Sequence, residues 1–94
     1  MTLSEENSHT QDAQTEKIAI ELCAFLKTNI VDKNITIDPD TSFPKLGIDS
    51  LSIIELVLFV ERKFNVALPE HELIPENFKS ARTLAVCTLR YINK

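Results

Sequence analysis

The sequence predicts an all-α fold, a four-helix bundle with three longer helices, one short helix and a long first loop. Its 94 residues include a single glycine and no tryptophan, which disfavours a turn-rich β architecture. Apolar residues recur at helical spacing in separate segments bounded by proline, glycine and polar clusters. A chain of this length buries roughly 60–70% of its unfolded surface, enough for one core.

The first helix is expected over residues 15–29. Ile18, Leu22, Phe25 and Leu26 recur on one face with Ala19 and Cys23 beside them, while Glu21, Lys27 and Thr28 lie opposite. Residues 1–14 are polar, and Leu3 is their one sizeable apolar side chain after Met1. Such a segment buries too little to offset its ordering, so a flexible N-terminal tail followed by one domain over residues 15–94 is expected. The tail lacks the basic start and apolar run of a secretory signal, and no window approaches membrane-spanning length. A cytoplasmic protein with no membrane insertion is the expectation.

Residues 30–49 form the long connection. Pro39, Pro44 and Gly47 keep it out of helix, yet Ile35, Ile37, Phe43 and Leu46 are too apolar for a free loop and should pack across the bundle. A short helix is expected after Pro69, over residues 70–73. The last helix should start after Ser80 as its N-cap and end near Ile92, with Leu84, Ala85, Cys87, Leu89, Tyr91 and Ile92 on its inner face.

The second helix opens within Leu46-Gly47-Ile48-Asp49-Ser50-Leu51 and carries two apolar stripes. Ile53, Leu56, Val57, Val60 and Phe64 form one broad face, the expected core stripe. Leu51, Ile54 and Leu58 form another, on the side of Ser50, with Glu55, Glu61 and Arg62 around it. A bundle helix needs one buried stripe. The other is either covered by the long loop or is a docking surface with an apolar centre and a charged rim. Asp49 and Ser50 fall at the first turn, where free backbone N–H groups and the helix dipole favour an anion. Either could be simply an N-cap, and Ser52 with Glu55 offers a rival capping box.

Formal net charge is −4, which repels a phosphate backbone and argues against nucleic-acid binding. Cys23 and Cys87 both fall on apolar faces and read as reduced core residues. Ser50, Asp49 and His71 could be drawn as nucleophile, acid and base, but no nucleophile elbow or oxyanion motif surrounds them, so no catalytic residue is expected. His71 reads as a solvated position, and Glu70, Glu72 and Glu76 as surface charge. Two histidines and two distant cysteines make no metal-ligand cluster in the isolated chain.

The hexapeptide at residues 46–51 resembles the modification site of acyl and peptidyl (aminoacyl) carrier proteins. The likeness continues through Thr41-Ser42-Phe43, Glu55-Leu56-Val57, Phe64-Asn65-Val66, Leu68-Pro69 and Tyr91-Ile92, over roughly residues 15–94. Pro44-Lys45 shortens the run before the glycine, and Ser52, Arg62 and Lys63 make the second helix less acidic than is usual there. The resemblance implies that Ser50 receives a phosphopantetheine arm from coenzyme A through a phosphopantetheinyl transferase, with Asp49 helping to hold that enzyme's magnesium ion. It implies a thioester-borne acyl or aminoacyl cargo, a loading ligase, and downstream synthase or tailoring enzymes that dock on the second helix. A tether of this kind raises the cargo's effective concentration at each docked site, and the covalent chemistry is the cofactor's. The expected protein is a free-standing, monomeric carrier and not an enzyme. Gly47-Ile48-Asp49-Ser50 leans toward acyl-type or stand-alone carriers, and Pro75-Glu76-Asn77-Phe78 resembles some stand-alone aminoacyl carriers. The alternative is an unmodified helical adaptor that binds a partner through the same helix.

Overall fold

The computed structural model describes residues 3–32 and 34–92, with side chains described from residue 13 onward. Three helices carry the fold: α1 (Leu3–Asn29), α2 (Ser50–Phe64) and α3 (Ala81–Ile92). Short 3-10 turns at Pro44–Leu46, Glu70–Glu72 and Pro75–Phe78 punctuate the connections. The expected four-helix bundle is therefore corrected to a three-helix all-α fold. The place of the fourth helix, after Pro69, is taken by two 3-10 turns. Pro75 is the reason: the residue before a proline is driven out of the α region, and Ile74 lies extended at φ −121°, ψ 155°. An i→i−4 ladder begun at Glu70 has no route past that point.

Helix α1 starts at Leu3, earlier than the start expected from apolar spacing. Residues 3–14 hold good helix formers such as Glu, Gln and Ala with no Gly or Pro, so propensity carries the backbone where periodicity is silent. The expected flexible tail includes residues 1 and 2, which lie outside the described residues, as do the side chains of residues 3–12.

Each helix end has its own closure. At the C-terminus of α2, Asn65 adopts the left-handed region at φ 54°, and the N–H groups of Asn65 and Val66 both donate to the Glu61 carbonyl. At the start of α3, the Thr83 N–H donates to Ser80 Oγ at 3.3 Å and the Ser80 N–H donates to Thr83 Oγ1 at 3.1 Å. That reciprocal pair resembles a capping box and starts the helix at Ala81.

The core is built mainly between α1 and α3. Ile18, Ala19, Leu22 and Leu26 of α1 are buried against Leu84, Ala85 and Cys87 of α3, and Leu56 and Val60 of α2 join them. Phe25 of α1 stacks on Phe59 of α2 with ring centroids 4.3 Å apart, and Phe59 meets Phe64 edge-on. Cys23 and Cys87 are both buried free thiols. Burial pushes both thiols up from the usual cysteine range.

The long connection is fastened rather than free. Phe43 is buried and its N–H donates to the Lys79 carbonyl, while the Arg82 N–H donates to the Pro39 carbonyl. Arg82 also grips Asp40 through Nε at 2.7 Å and Nη2 at 3.3 Å, and Glu16 of α1 through Nη1 at 2.8 Å. Ile37 and Leu46 pack partly against the core, whereas Ile35 is 40% exposed and lies outside it. Among the described residues, no helix is long and apolar enough to cross a membrane.

Candidate functional site

The 3-10 turn at Pro44–Leu46 delivers the chain to Gly47, which takes a left-handed φ of 74° and donates its N–H to the Pro44 carbonyl. No heavy atom lies within 4 Å of where a Cβ on Gly47 would stand, so that residue is needed there for its backbone conformation and not for space. The Ile48 N–H then donates back to the Phe43 carbonyl at 3.2 Å, tying the turn to the buried phenyl ring's residue.

Asp49 is the N-cap of α2. Its carboxylate accepts from the Ser52 N–H at 2.9 Å, and that bond holds its pKa below the usual carboxylate value. The rival box built on Ser52 and Glu55 does not form, because the Ser52 N–H is already engaged by Asp49. Ser50 is the first helical residue and is exposed. The cap is thus Asp49, which leaves the Ser50 hydroxyl outside that role.

The second stripe of α2 is not covered by the long loop: Leu51, Ile54 and Leu58 are 66%, 56% and 50% exposed, whereas Leu56 and Val60 are fully buried. Glu55 and Arg62 are exposed around it. Glu61 differs from them. It is half-buried, and its carboxylate accepts from the Leu68 N–H at 3.0 Å, so it fastens the chain leaving α2 as well as charging the rim.

An apolar groove of about 850 Å³ runs beside Ser50. One wall is α2, through Ile53, Ile54, Val57 and Leu58. The other is Leu73, Ile74, Pro75 and Phe78 from the two 3-10 turns. Lys79 is its one charged lining residue, and Ser42 and Pro44 close it near Ser50. The facing wall escaped sequence reasoning, although Leu73-Ile74-Pro75 is an apolar run at the end of the expected short helix and such a run needs a partner.

Two further residues matter more than the sequence suggests: Glu72, expected as surface charge, and Arg82, for which there is no expectation. Glu72 is not surface charge. Its Oε2 accepts from the Tyr91 hydroxyl at 2.5 Å, and its Oε1 accepts from Asn77 Nδ2 at 3.0 Å and Arg90 Nη2 at 3.3 Å. Those bonds, the Tyr91 hydroxyl above all, hold its pKa below the usual glutamate value. Arg82, the clamp on the long connection, had a signal in the sequence: a cation in the first turn of a helix opposes the dipole and calls for a compensating anion. His71 is exposed and sits 3.9 Å from Glu72, and it is not among the residues that line the groove with Ser50. No group of three or more potential metal ligands occurs among the described residues.

Comparison with known proteins bears on this arrangement. The family described as "phosphopantetheine attachment site" matches residues 16–86. Aminoacyl carrier protein 2 of Bradyrhizobium diazoefficiens is 35% identical over 61 residues, covering 65% of this chain and 66% of that protein. Aminoacyl carrier protein 1 of the same organism is 34% identical over 60 residues, 64% of each. The chain thus matches just under two thirds of the length of these curated relatives. A chain in the crystal structure of the Bradyrhizobium japonicum glycine:carrier protein ligase complexed with glycylated carrier protein superposes with a TM-score of 0.64 at 27% identity, covering 78% of this chain and 96% of that one.

Proposed function

The chain belongs to the family built around a phosphopantetheine attachment site, and from that membership we propose that it is a carrier protein modified on Ser50. The observation that carries the assignment is the division of labour at the start of α2: Asp49 caps the helix, and the exposed Ser50 hydroxyl beside it is left to react. The site suits the group chemically. A phosphodiester on Ser50 would sit at the positive end of a 15-residue helix, and the apolar groove alongside is lined by a cation but no carboxylate. When attached, the arm supplies the thiol that bears cargo as a thioester.

The chain's own part is to present Ser50, to orient the arm and to be recognised. Leu51, Ile54 and Leu58, with Glu55, Glu61 and Arg62 around them, form the docking surface for the phosphopantetheinyl transferase, for a loading ligase and for the enzymes that take the cargo onward. An apolar centre contributes affinity and a charged rim steers approach. Asp49 has the further role, implied by the family resemblance, of helping the transferase hold its magnesium ion. Residues 15–94 constitute the carrier unit. An acyl- or aminoacyl-loading ligase is supported as a partner by the likeness to a carrier protein crystallised with its glycine ligase, and aminoacyl cargo by the names of the related carriers.

Intact mass after incubation with coenzyme A and a transferase tests the assignment. The natural chain should gain one phosphopantetheine and Ser50→Ala none, with the variant's circular dichroism unchanged, since an exposed first-turn serine that is not the cap contributes little to stability. Continued modification of the alanine variant would refute Ser50. Failure of the natural chain to gain mass would leave the adaptor reading in its place. Charging the modified chain against a panel of acyl and aminoacyl ligases then identifies the cargo.

A further inference from the structure

We infer that Glu72 is the positioning residue of the groove beside Ser50, pinning the Leu73–Ile74–Pro75 wall to α3 and thereby setting the groove's width.

The wall is tethered on one side only. Among the described residues, no hydrogen bond or ion pair crosses from residues 70–80 to α2, so nothing polar spans the groove. Leu73 and Ile74 are 44% and 41% exposed, so apolar packing fixes them only in part, unlike the buried Phe78 farther along the wall. Pro75 has no N–H to give, and the backbone bonds at this corner are local: the Leu73 N–H donates to Glu70, and the Asn77 N–H donates to Ile74.

Glu72 supplies what the corner lacks. The Asn77 side-chain amide donates both to the Glu72 carbonyl at 2.7 Å and to its Oε1, so a single residue closes the two 3-10 turns around Leu73–Ile74–Pro75. From the same carboxylate, bonds run to Tyr91 and Arg90 in the last turn of α3. The Thr83 hydroxyl of α3 also donates to the Asn77 carbonyl at 3.2 Å, at the far end of the corner, so the carboxylate is the junction between the Leu73 side of the wall and a helix that is itself part of the buried core. Its side chain is only 16% exposed, so water competes poorly for these bonds. Releasing the junction frees the wall to swing away from Ile53, Ile54 and Leu58 while the helices keep their packing.

The test uses the full, unmodified chain, so it is independent of whether Ser50 is the attachment site. Amide hydrogen exchange resolved by residue is compared for the natural chain, Glu72→Gln, Asn77→Ala and the control Glu70→Gln, together with methyl shifts of Ile53, Ile54 and Leu58 across the groove. Glu72→Gln and Asn77→Ala should each raise exchange at Leu73 and Asn77 about tenfold or more. Protection of Leu22 and Leu84 should hold, the α2 methyls should move, and Glu70→Gln should do none of this. Unchanged exchange at Leu73 and Asn77, or static α2 methyls, would overturn the assignment. So would an equal rise at Leu22 and Leu84, which would make Glu72 a contributor to global stability alone.

Discussion

Truncating Leu58 and Leu56 separately, two positions apart on α2, distinguishes a docking stripe from a core stripe. Leu56 is fully buried and Leu58 half exposed. Burying a leucine is worth about 1.5–3 kcal/mol, so the half-buried Leu58 has roughly 1 kcal/mol of transfer free energy to lose. Alanine's better helix propensity returns a few tenths of that. Leu58→Ala should therefore cost about 0.5–1 kcal/mol in a urea melt, with the slope unchanged. Leu56→Ala removes the same atoms from the core and leaves a cavity, for a loss of about 2–5 kcal/mol. Partner kinetics should rank them the other way once both are measured where they remain folded. Leu58→Ala should lower the transferase's kcat/KM by about fivefold or more, equivalent to roughly 1 kcal/mol at an interface anchor, and Leu56→Ala should leave it nearly unchanged. A Leu58→Ala chain that loses 3 kcal/mol or more yet is modified at the natural rate would refute the docking role and make the stripe buried packing.

Two other outcomes follow from the same helix. Glu55→Lys should slow association with a partner at low salt and recover as salt screens the rim, without a change in stability. Glu61→Lys should slow association similarly and also lose about 1 kcal/mol in a denaturant melt, because its carboxylate accepts the Leu68 N–H. Asp49 gives a pH dependence: its folded pKa is depressed by the Ser52 N–H, so its contribution is complete above the unfolded-state aspartate pKa and is lost as pH falls through the lower folded value. Acid titration of helicity in Asp49→Asn, which keeps a capping side chain without a titrating group, should show a shallower loss than the natural chain in that window.

The parts of this fold that were legible in the sequence are those that rest on a single helical period. Leu56 and Val60, Leu22 and Leu26, and Leu84 and Cys87 fall on buried faces because burial and 3.6-residue spacing are the same signal. The beginning of α2 was legible for a different reason, since Gly47 and Asp49 each do local work that their residue types announce. What stayed hidden depends on distance in the chain or on the absence of periodicity. The start of α1 at Leu3 has no apolar face to betray it. The stretch after Pro69 reads as helix until the effect of Pro75 on Ile74 is weighed against the good propensity of Glu70 and Glu72. Glu72 itself looks like any other acidic residue, because Tyr91 lies 19 positions away and no local pattern links them. The groove was half legible: its α2 wall takes Ile54 and Leu58 from the surplus stripe and Ile53 and Val57 from the expected core stripe, and its facing wall is assembled only by the fold.

The grip of Arg82 has a consequence in time. Its guanidinium joins residues 66 and 42 positions distant, Glu16 and Asp40, and contacts that close such long loops are made late because chain entropy opposes them until the helices have docked. An interaction absent from the folding transition state leaves the folding rate alone and lengthens the lifetime of the native state. Arg82 is therefore expected to slow opening more than it speeds folding. Slower release of the segment that leads to Ser50 is the expected consequence of that grip.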